Sequence, residues 1–286
     1  MANFWLLAAS GVLSGILAGF LGIGGGTILV PIMVRLGFTP VEAVATSSLA
    51  IVVTSITGSI QNWRMGFLDL KKVLMLGFPA LVTAQLGVLL ANVFPAYALL
   101  AGFALLLVSN VYLVGLRKRV VAQRTRQEAV TPPPAETVEA ANLAGAGETV
   151  QGPTASAPAV MNPTLARLIT GSSAGILAGL FGVGGGVIMV PLQILLLGEG
   201  IKTAVQTSLG VIVITAIAAC AGHALSGNVL FDAGLILGFG GLLGVQVSTR
   251  FLPKLPDQVI TFMFRALLAL LSVYIFWQAW NSYIAR

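Results

Sequence analysis

Charged residues are scarce in this chain, and their scarcity is the first constraint on what it can be. Only 8% of its 286 residues are charged, whereas 57% are hydrophobic. A soluble domain needs roughly 25% charged residues to cover its surface, so lipid rather than water surrounds most of this chain. The apolar runs extend for about 20 residues, unlike the short alternating segments of a membrane barrel. The composition predicts an all-α, polytopic helical membrane protein in a lipid bilayer.

Reactive and metal-binding side chains are scarce as well. Cys220 is the single cysteine, which excludes an intramolecular disulfide and a cysteine-based metal site. No His/Cys/Asp/Glu cluster has metal-ligand spacing and no nucleophile–base pair stands out, so we expect no catalytic residue, metal or cofactor, and no enzyme. The 15 Lys and Arg outnumber the 9 Asp and Glu. Most lie in loops, where they indicate membrane orientation and do not call for a nucleic-acid partner.

Glycine, by contrast, is abundant and forms part of a repeat. The stretch GILAGFLGIGGGTILVP, from Gly15 to Pro31, returns 160 residues later as GILAGLFGVGGGVIMVP, and 12 of the 17 positions are identical. Three adjacent glycines destabilise a helix. In hydrocarbon a broken helix persists only where protein or a watery cavity satisfies the freed amides. Two such breaks, one in each half, are typical of a transporter's binding site.

The similarity continues beyond the glycines at an offset of 161 residues and covers nearly both halves. We therefore divide the chain into a first transmembrane repeat, 1–116, and a second, 164–286, with eight to ten membrane segments in total. The intervening stretch, 117–163, begins with basic residues and is then rich in Pro, Ala, Glu, Thr and Gly. Because it shows no apolar period, it is predicted to be a disordered cytoplasmic linker.

Basic residues bear on how the two halves are oriented. If each glycine-containing segment crosses the membrane once, the halves are parallel and the basic residues divide ten inside to five outside. If each segment bends back at its glycines, the second half is inverted and the division becomes thirteen to two. The second division follows the positive-inside rule better. We therefore favour inverted repeats with partly re-entrant glycine hairpins.

The glycine triplets are the main candidates for substrate binding. A helix that starts just after each triplet would direct free N–H groups and the positive end of its dipole at the break. Such helix starts bind anions without a charged side chain. The alternative is that the glycines only allow close helix packing, which explains the spaced glycines better than the triplets. The candidates at the breaks are Gly24, Gly25, Gly26, Thr27, Gly184, Gly185 and Gly186.

Further candidates are polar side chains at matching positions of the two halves. Hydroxyls can donate to an oxyanion, although Ser and Thr in membrane helices also bond their own backbone or join helices. The amides Gln85 and Gln246 fit a substrate contact and a helix bridge equally well. His223 matches Asn62 and is the best candidate for a titrating group, although a lone His at a helix end is more often interfacial. The hydroxyl candidates are Thr46, Ser47, Ser48, Thr207 and Ser208.

The doubled glycine motif, each copy with a proline five positions after its last glycine and an Ala-x-x-Thr-Ser downstream, resembles the TauE/SafE sulfite exporter family. The resemblance covers about 1–116 and 163–286. It implies transport of small sulfur-containing anions, such as sulfite, sulfonates or sulfoacetate, across the bacterial cytoplasmic (inner) membrane. This agrees with a site built of backbone N–H groups and hydroxyls without a carboxylate.

The mechanism we expect is alternating access, with the anion between the two breaks while the halves rock around it. Coupling to a proton gradient would depend on His223 or Glu42. Two alternatives stay open, namely a transporter of a cation or neutral solute bound by backbone carbonyls, and a membrane scaffold whose glycines only pack. Homo-oligomer formation is open too, because glycine-rich faces can pack within or between chains.

Overall fold

The computed structural model describes residues 2–128 and 162–284, and ten α-helices make up most of this described part. Five belong to each half of the chain. A short 3-10 turn, Leu252–Lys254, follows the ninth helix. The helices are α1 (Ala2–Leu21), α2 (Gly26–Arg35), α3 (Pro40–Arg64), α4 (Leu70–Val93), α5 (Ala96–Glu128), α6 (Pro163–Phe181), α7 (Gly186–Leu196), α8 (Ile201–Leu225), α9 (Phe231–Phe251) and α10 (Asp257–Ile284).

Seven of these helices are long and apolar enough to cross a membrane, judged by length and composition: α1, α3, α4, α6, α8, α9 and α10. Helix α5 adds an apolar stretch over Ala96–Tyr112. Helices α2 and α7 have only 10 and 11 residues, so each reaches about half of the ~30 Å hydrocarbon core. The prediction of a polytopic helical membrane protein is confirmed.

Side-chain caps explain where three of the helices, α3, α4 and α6, begin. At α3 the Thr39 and Glu42 side chains form a reciprocal capping box, and Pro40 takes the first helical position. At α4 the Asp69 carboxylate accepts hydrogen bonds from two backbone amides of the first turn. Glu42 is thus engaged in holding a helix start. At α6 the Asn162 side chain has the same capping role.

The two halves are interleaved, since helices of one half pack mainly against helices of the other. Helix α1 packs along α9 with backbone against backbone. A Cβ at Gly11 would strike Leu237, and a Cβ at Gly19, farther along α1, would strike Ser248. Because the contacts advance in the same sense on both helices, α1 and α9 run parallel.

Three other long-range pairs show the same advancing contacts. Helix α6 runs parallel to α4, α3 runs parallel to α9, and α8 runs parallel to α4. Small residues again permit the approach, as is common between membrane helices. The contacts that establish these directions are Gly171 with Leu76, Gly179 with Ala84, Gly234 with Leu49, Gly58 with Val245, Gly210 with Val73, and Gly222 with Gln85.

Helix α5 continues to Glu128, beyond residue 116, where the sequence predicted the last segment of the first half to end. The basic residues of the stretch 117–128 led us to predict the start of a loop, but this stretch contains neither Gly nor Pro. Arg, Lys, Gln and Glu are good helix formers, so a helix that has already begun can continue through them. The rest of the predicted linker, 129–161, lies outside the described residues.

The close α4–α6 packing yields a first prediction. A methyl group added at Gly175 would strike the Ala80 carbonyl and the Thr83 hydroxyl. Since backbone cannot move aside cheaply, Gly175→Ala should cost about 1–3 kcal/mol and lower the melting temperature in detergent by several degrees.

The matched control is Gly200→Ala, because this exposed glycine has φ −66° and nothing within 4 Å of an added Cβ. Gly200 is the N-cap of α8, where alanine is less favourable than glycine, so this substitution should cost up to about 1 kcal/mol and less than Gly175→Ala. Equal melting temperatures for the two variants would contradict this account of the packing.

Candidate functional site

The two glycine breaks meet each other at the centre of the molecule. Gly26, the first residue of α2, lies against the Gly182 carbonyl, and Gly186, the first residue of α7, lies against the Gly22 carbonyl. A Cβ at Gly24 would lie only 2.9 Å from the Val183 carbonyl oxygen. We call this region, residues 22–27 and 182–187, the crossing. It brings together the candidates that sequence placed at the two triplets.

The chain reverses at each break. Gly25 lies beside Ser14, which is well back along α1, and Gly185 lies beside Ala174 of α6 in the same way. The reversal depends on left-handed backbone conformations, with φ of 80° at Gly25 and 78° at Gly185, which side-chain-bearing residues rarely adopt. The glycines of the triplets are therefore needed for the turn itself.

The starts of α2 and α7 lie close to each other at the crossing. Neither the start of α2 nor that of α7 has a side-chain cap. The first N–H groups of a helix have no partner within the helix, and they carry the positive end of its dipole. Two short helices thus present uncapped amides at one place in the protein interior, which is an arrangement suited to an anion.

Thr27 adds a side chain to this arrangement. It lies in the first turn of α2 and is fully buried, and its hydroxyl has no hydrogen-bond partner in the described part of the chain. A buried hydroxyl without a partner costs about 1–3 kcal/mol. Val187 stands at the matching position of α7 and has no such group. The α2 side of the crossing therefore has an unused hydrogen-bonding group that the α7 side lacks.

Two serines hold the breaks in a reciprocal manner. Ser47 of α3 donates to the Gly182 carbonyl of the second break at 3.0 Å. Ser208 of α8, its repeat counterpart, donates to the Gly22 carbonyl of the first break at 2.8 Å. Each half thus closes the turn of the other half. Thr215, which was not among the predicted site residues, adds a third bond to the Gly184 carbonyl at 2.9 Å.

Several other predicted candidates lie away from the crossing in structural contacts. The Thr46 hydroxyl accepts from the Leu230 amide at the start of α9, and Ser48 donates to a carbonyl of its own helix. Thr207 is buried. The Gln85 side chain donates to the Ala218 carbonyl at 2.7 Å, which is the helix-bridging alternative. The Gln246 side chain instead lines a cavity between α3 and α9.

Asn62 and His223, the matching pair near the ends of α3 and α8, are both fully buried. His223 approaches the Gly179 carbonyl with Nε2 at 2.9 Å, and its Nδ1 has no partner among the described residues. Neither the oxygen nor the nitrogen of the Asn62 amide has a partner there either. Buried polar groups without partners are rare, so both positions have unused capacity to bind water or a solute.

A buried polar stripe on α3 leads from the crossing towards Asn62. Its members follow spacings of seven, four and three residues, which place them on one helix face. Ser55 and Ser59 were not among the predicted residues, although this spacing was available as a signal. The α8 counterparts are less polar: Leu209, Ala216, Cys220 and His223. The stripe itself consists of Ser48, Ser55, Ser59 and Asn62, all buried.

The crossing is closed in this conformation. Every residue from Leu21 to Pro31 and from Phe181 to Pro191 is buried. Within residues 2–128 and 162–284, no three His, Cys, Asp or Glu side chains are placed to hold a metal ion. What the crossing offers is a set of buried neutral donors, namely the amides at the two helix starts and the hydroxyl of Thr27.

Comparison with known proteins relates the chain to a family of membrane transporters. The sulfite exporter TauE/SafE family matches residues 7–275. "Probable membrane transporter protein YunE" of Bacillus subtilis (strain 168) is 26% identical over 94% of this chain and 96% of that protein. "Probable membrane transporter protein ORF9" of Sinorhizobium sp is 27% identical over 80% of this chain and 75% of that protein.

A shorter match, 36% identical, relates 37% of this chain to 42% of a "Probable membrane transporter protein" of Haemophilus influenzae. No solved structure is significantly similar to the chain. These relatives are named as membrane transporters and not as enzymes, and the family match extends across both glycine breaks. The resemblance inferred from the doubled motif is confirmed, and the chain belongs to the sulfite exporter TauE/SafE family of membrane transporters.

Proposed function

We propose that this transporter moves small sulfur-containing oxyanions, such as sulfite, sulfonates or sulfoacetate, across the bacterial cytoplasmic membrane. The observation that carries the proposal is the meeting of two uncapped helix starts beside the unpartnered, fully buried hydroxyl of Thr27. Amides at a helix start bind oxyanions through hydrogen bonds and the helix dipole. Compact anions with several oxygens fit such a set of donors.

The distribution of acidic residues supports an anion over a cation. A carboxylate at the crossing would repel a sulfite or sulfonate and would favour a cation instead. The five Asp and Glu residues whose side chains the structure describes instead lie in first turns, caps and loops, away from both breaks. They are Glu42, Asp69, Glu199, Asp232 and Asp257.

An inverted relation between the halves is part of the proposal. Only five residues, 65–69, connect α3 and α4. Because both helices have membrane-crossing length, the chain must reverse between them. Helices α1, α3 and α9 then run in one direction and α4, α6 and α8 in the other. Each helix of the first set has its repeat counterpart in the second set, which supports inversion together with the distribution of basic residues.

Alternating access follows from the closed crossing. In inverted repeats a site between the halves can open to either side as one half rocks against the other. With basic residues inside, α3 ends at the cytoplasmic face, so its polar stripe of Ser48, Ser55, Ser59 and Asn62 would line the cytoplasmic route. The bonds from Ser47 and Ser208 to the opposite breaks would hold the closed state.

Anion binding at the crossing can be tested by thermal shift on the detergent-purified protein. Sulfite or sulfoacetate should raise the melting temperature by a few degrees at saturating concentration, whereas chloride should not. Thr27→Val keeps the shape but removes the hydroxyl. It should weaken binding about 10- to 100-fold, the value of a hydrogen bond to a charged group, without lowering stability in the absence of ligand.

The control is Thr170→Val, because Thr170 is also fully buried with an unpartnered hydroxyl among the described residues but lies outside the crossing. It should bind like wild type. Wild-type affinity in Thr27→Val would remove Thr27 from the site, and a shift with sodium but none with sulfite would favour the cation alternative.

The reciprocal serine bonds predict matched effects in the two halves. Ser47→Ala and Ser208→Ala should each lower the free energy of unfolding by about 1 kcal/mol, because each leaves a break carbonyl with one bond fewer. Ser48→Ala is the control, since its described hydrogen bond stays within α3. Melting curves in detergent measure these losses. If Ser48→Ala lowers the stability as much as the other two substitutions do, the stabilising role of the Ser47 and Ser208 bonds is refuted.

The inverted relation predicts opposite accessibility for Met65 and Ser226, which occupy matching positions at the ends of α3 and α8. Each would be replaced by Cys in a Cys220→Ala background. A membrane-impermeant maleimide should label Ser226→Cys in right-side-out vesicles and Met65→Cys only after lysis. Equal labelling of both before lysis, or of neither, would indicate parallel halves.

A further inference from the structure

A cavity of about 470 Å³ lies between α3 and α9, apart from the crossing. Two arginines, Arg64 and Arg250, line the end of the cavity that lies at the C-terminal ends of α3 and α9. Each is in the last turn of its helix. Neither guanidinium has an ion-pair or hydrogen-bond partner among the described residues. Two unpaired cations that line one cavity without a carboxylate are an electrostatic arrangement that attracts an anion.

The amides of the cavity add neutral hydrogen-bonding capacity. The Gln61 side chain donates to the Gln246 backbone carbonyl at 3.1 Å, which ties α3 to α9 across the cavity. Gln246 contributes its own side chain to the wall, and this amide has no described partner. A planar guanidinium and an amide together offer several donors to the oxygens of a phosphate or sulfonate group.

The other end of the cavity, farther from the helix ends and deeper in the membrane, is mainly apolar. Ile60 and Leu242 line it together with Thr57. Thr57 lies seven residues before Arg64, so the cavity extends about 10 Å along α3 from the arginine. Ile60 is 43% exposed, which on a membrane-crossing helix means that it faces lipid. A ligand with an oxyanion head and an apolar tail would satisfy both ends at once.

The repeat supplies an internal comparison. The corresponding groove between α8 and α4 has Leu225 and Leu89 in the positions of Arg64 and Arg250, and both leucines are exposed. There the side chain of Gln85, the counterpart of Gln246, bonds the Ala218 backbone instead. The fold thus does not require arginine at these positions, and the charged cavity is specific to one of the two grooves.

We propose that the α3–α9 cavity binds the phosphodiester headgroup of an anionic phospholipid, with Arg64 and Arg250 on the phosphate and an acyl chain along Ile60 and Leu242. Basic pockets between membrane helices bind acidic lipid headgroups in this way. A soluble oxyanion shares the headgroup chemistry but would leave the apolar end of the cavity unfilled. The site is separate from the crossing and does not depend on which anion is transported.

Native mass spectrometry of the full-length protein in detergent tests the proposal, with dioleoylphosphatidylglycerol as the probe and dioleoylphosphatidylcholine as the neutral comparison. Wild type should retain the anionic lipid preferentially. Arg64→Leu/Arg250→Leu, which copies the opposite groove, should weaken its binding about tenfold or more, because each arginine near anionic lipid contributes several-fold. Inorganic phosphate and sulfite, added separately, should not displace the lipid at millimolar concentration.

The control variant is Lys71→Leu/Arg167→Leu, which removes two positive charges from outside the cavity, one at an exposed position and one at a half-buried position. It should bind within about twofold of wild type, since screened charges away from the headgroup contribute little. If the double leucine substitution in the cavity prevents folding, Arg64→Gln/Arg250→Gln replaces it with the same expectation. Unchanged lipid affinity in a folded arginine variant would overturn the proposal. So would displacement of the lipid by phosphate or sulfite alone, which would assign the cavity to a soluble anion.

Discussion

The structure depends on one constraint, which is that backbone amides and carbonyls within hydrocarbon must find partners inside the protein. Continuous helices meet it by themselves, but the two glycine breaks cannot. Each break meets it through the other half, with Ser47 and Ser208 donating to the opposite carbonyls. The close contact between the breaks and the interleaved packing of the halves both follow from this need. The starts of α2 and α7 have no side-chain cap, and the Thr27 hydroxyl has no partner among the described residues; these are the groups to which we propose that the substrate binds.

The two halves share a scaffold and differ where function is expected. Thr27 corresponds to Val187 in the repeat, and the polar stripe on α3 corresponds to a less polar face on α8. The arginines of one lateral groove are leucines in the other. The features that the two halves share are the glycine turns, the serine bonds to the opposite breaks and the helix packing. The features in which they differ are groups that can bind anions, water or lipid. A transporter with distinct inner and outer routes needs such differences.

Much of this could be predicted from the sequence because the strongest signals are local or repeated. Membrane-length apolar runs, the positions of the breaks and the family resemblance all depend on patterns within about 20 residues or on internal similarity. The partners of Ser47 and Thr46 could not be predicted, because the sequence pattern around a Ser or Thr is the same whether its hydroxyl bonds its own helix, another helix or a solute. The extent of α5 was underestimated because basic residues suit both loops and helices.

The interleaving of the halves has a consequence for biosynthesis. The ribosome delivers α1 to α5 first, yet the glycine face of α1 finds its partner only in α9, and the first break receives its hydroxyl only from α8. A nascent first half therefore carries uncovered backbone in the bilayer until most of the second half has been inserted. The contacts that α1 and the first break make with α8 and α9 can therefore form only after those helices have been synthesised.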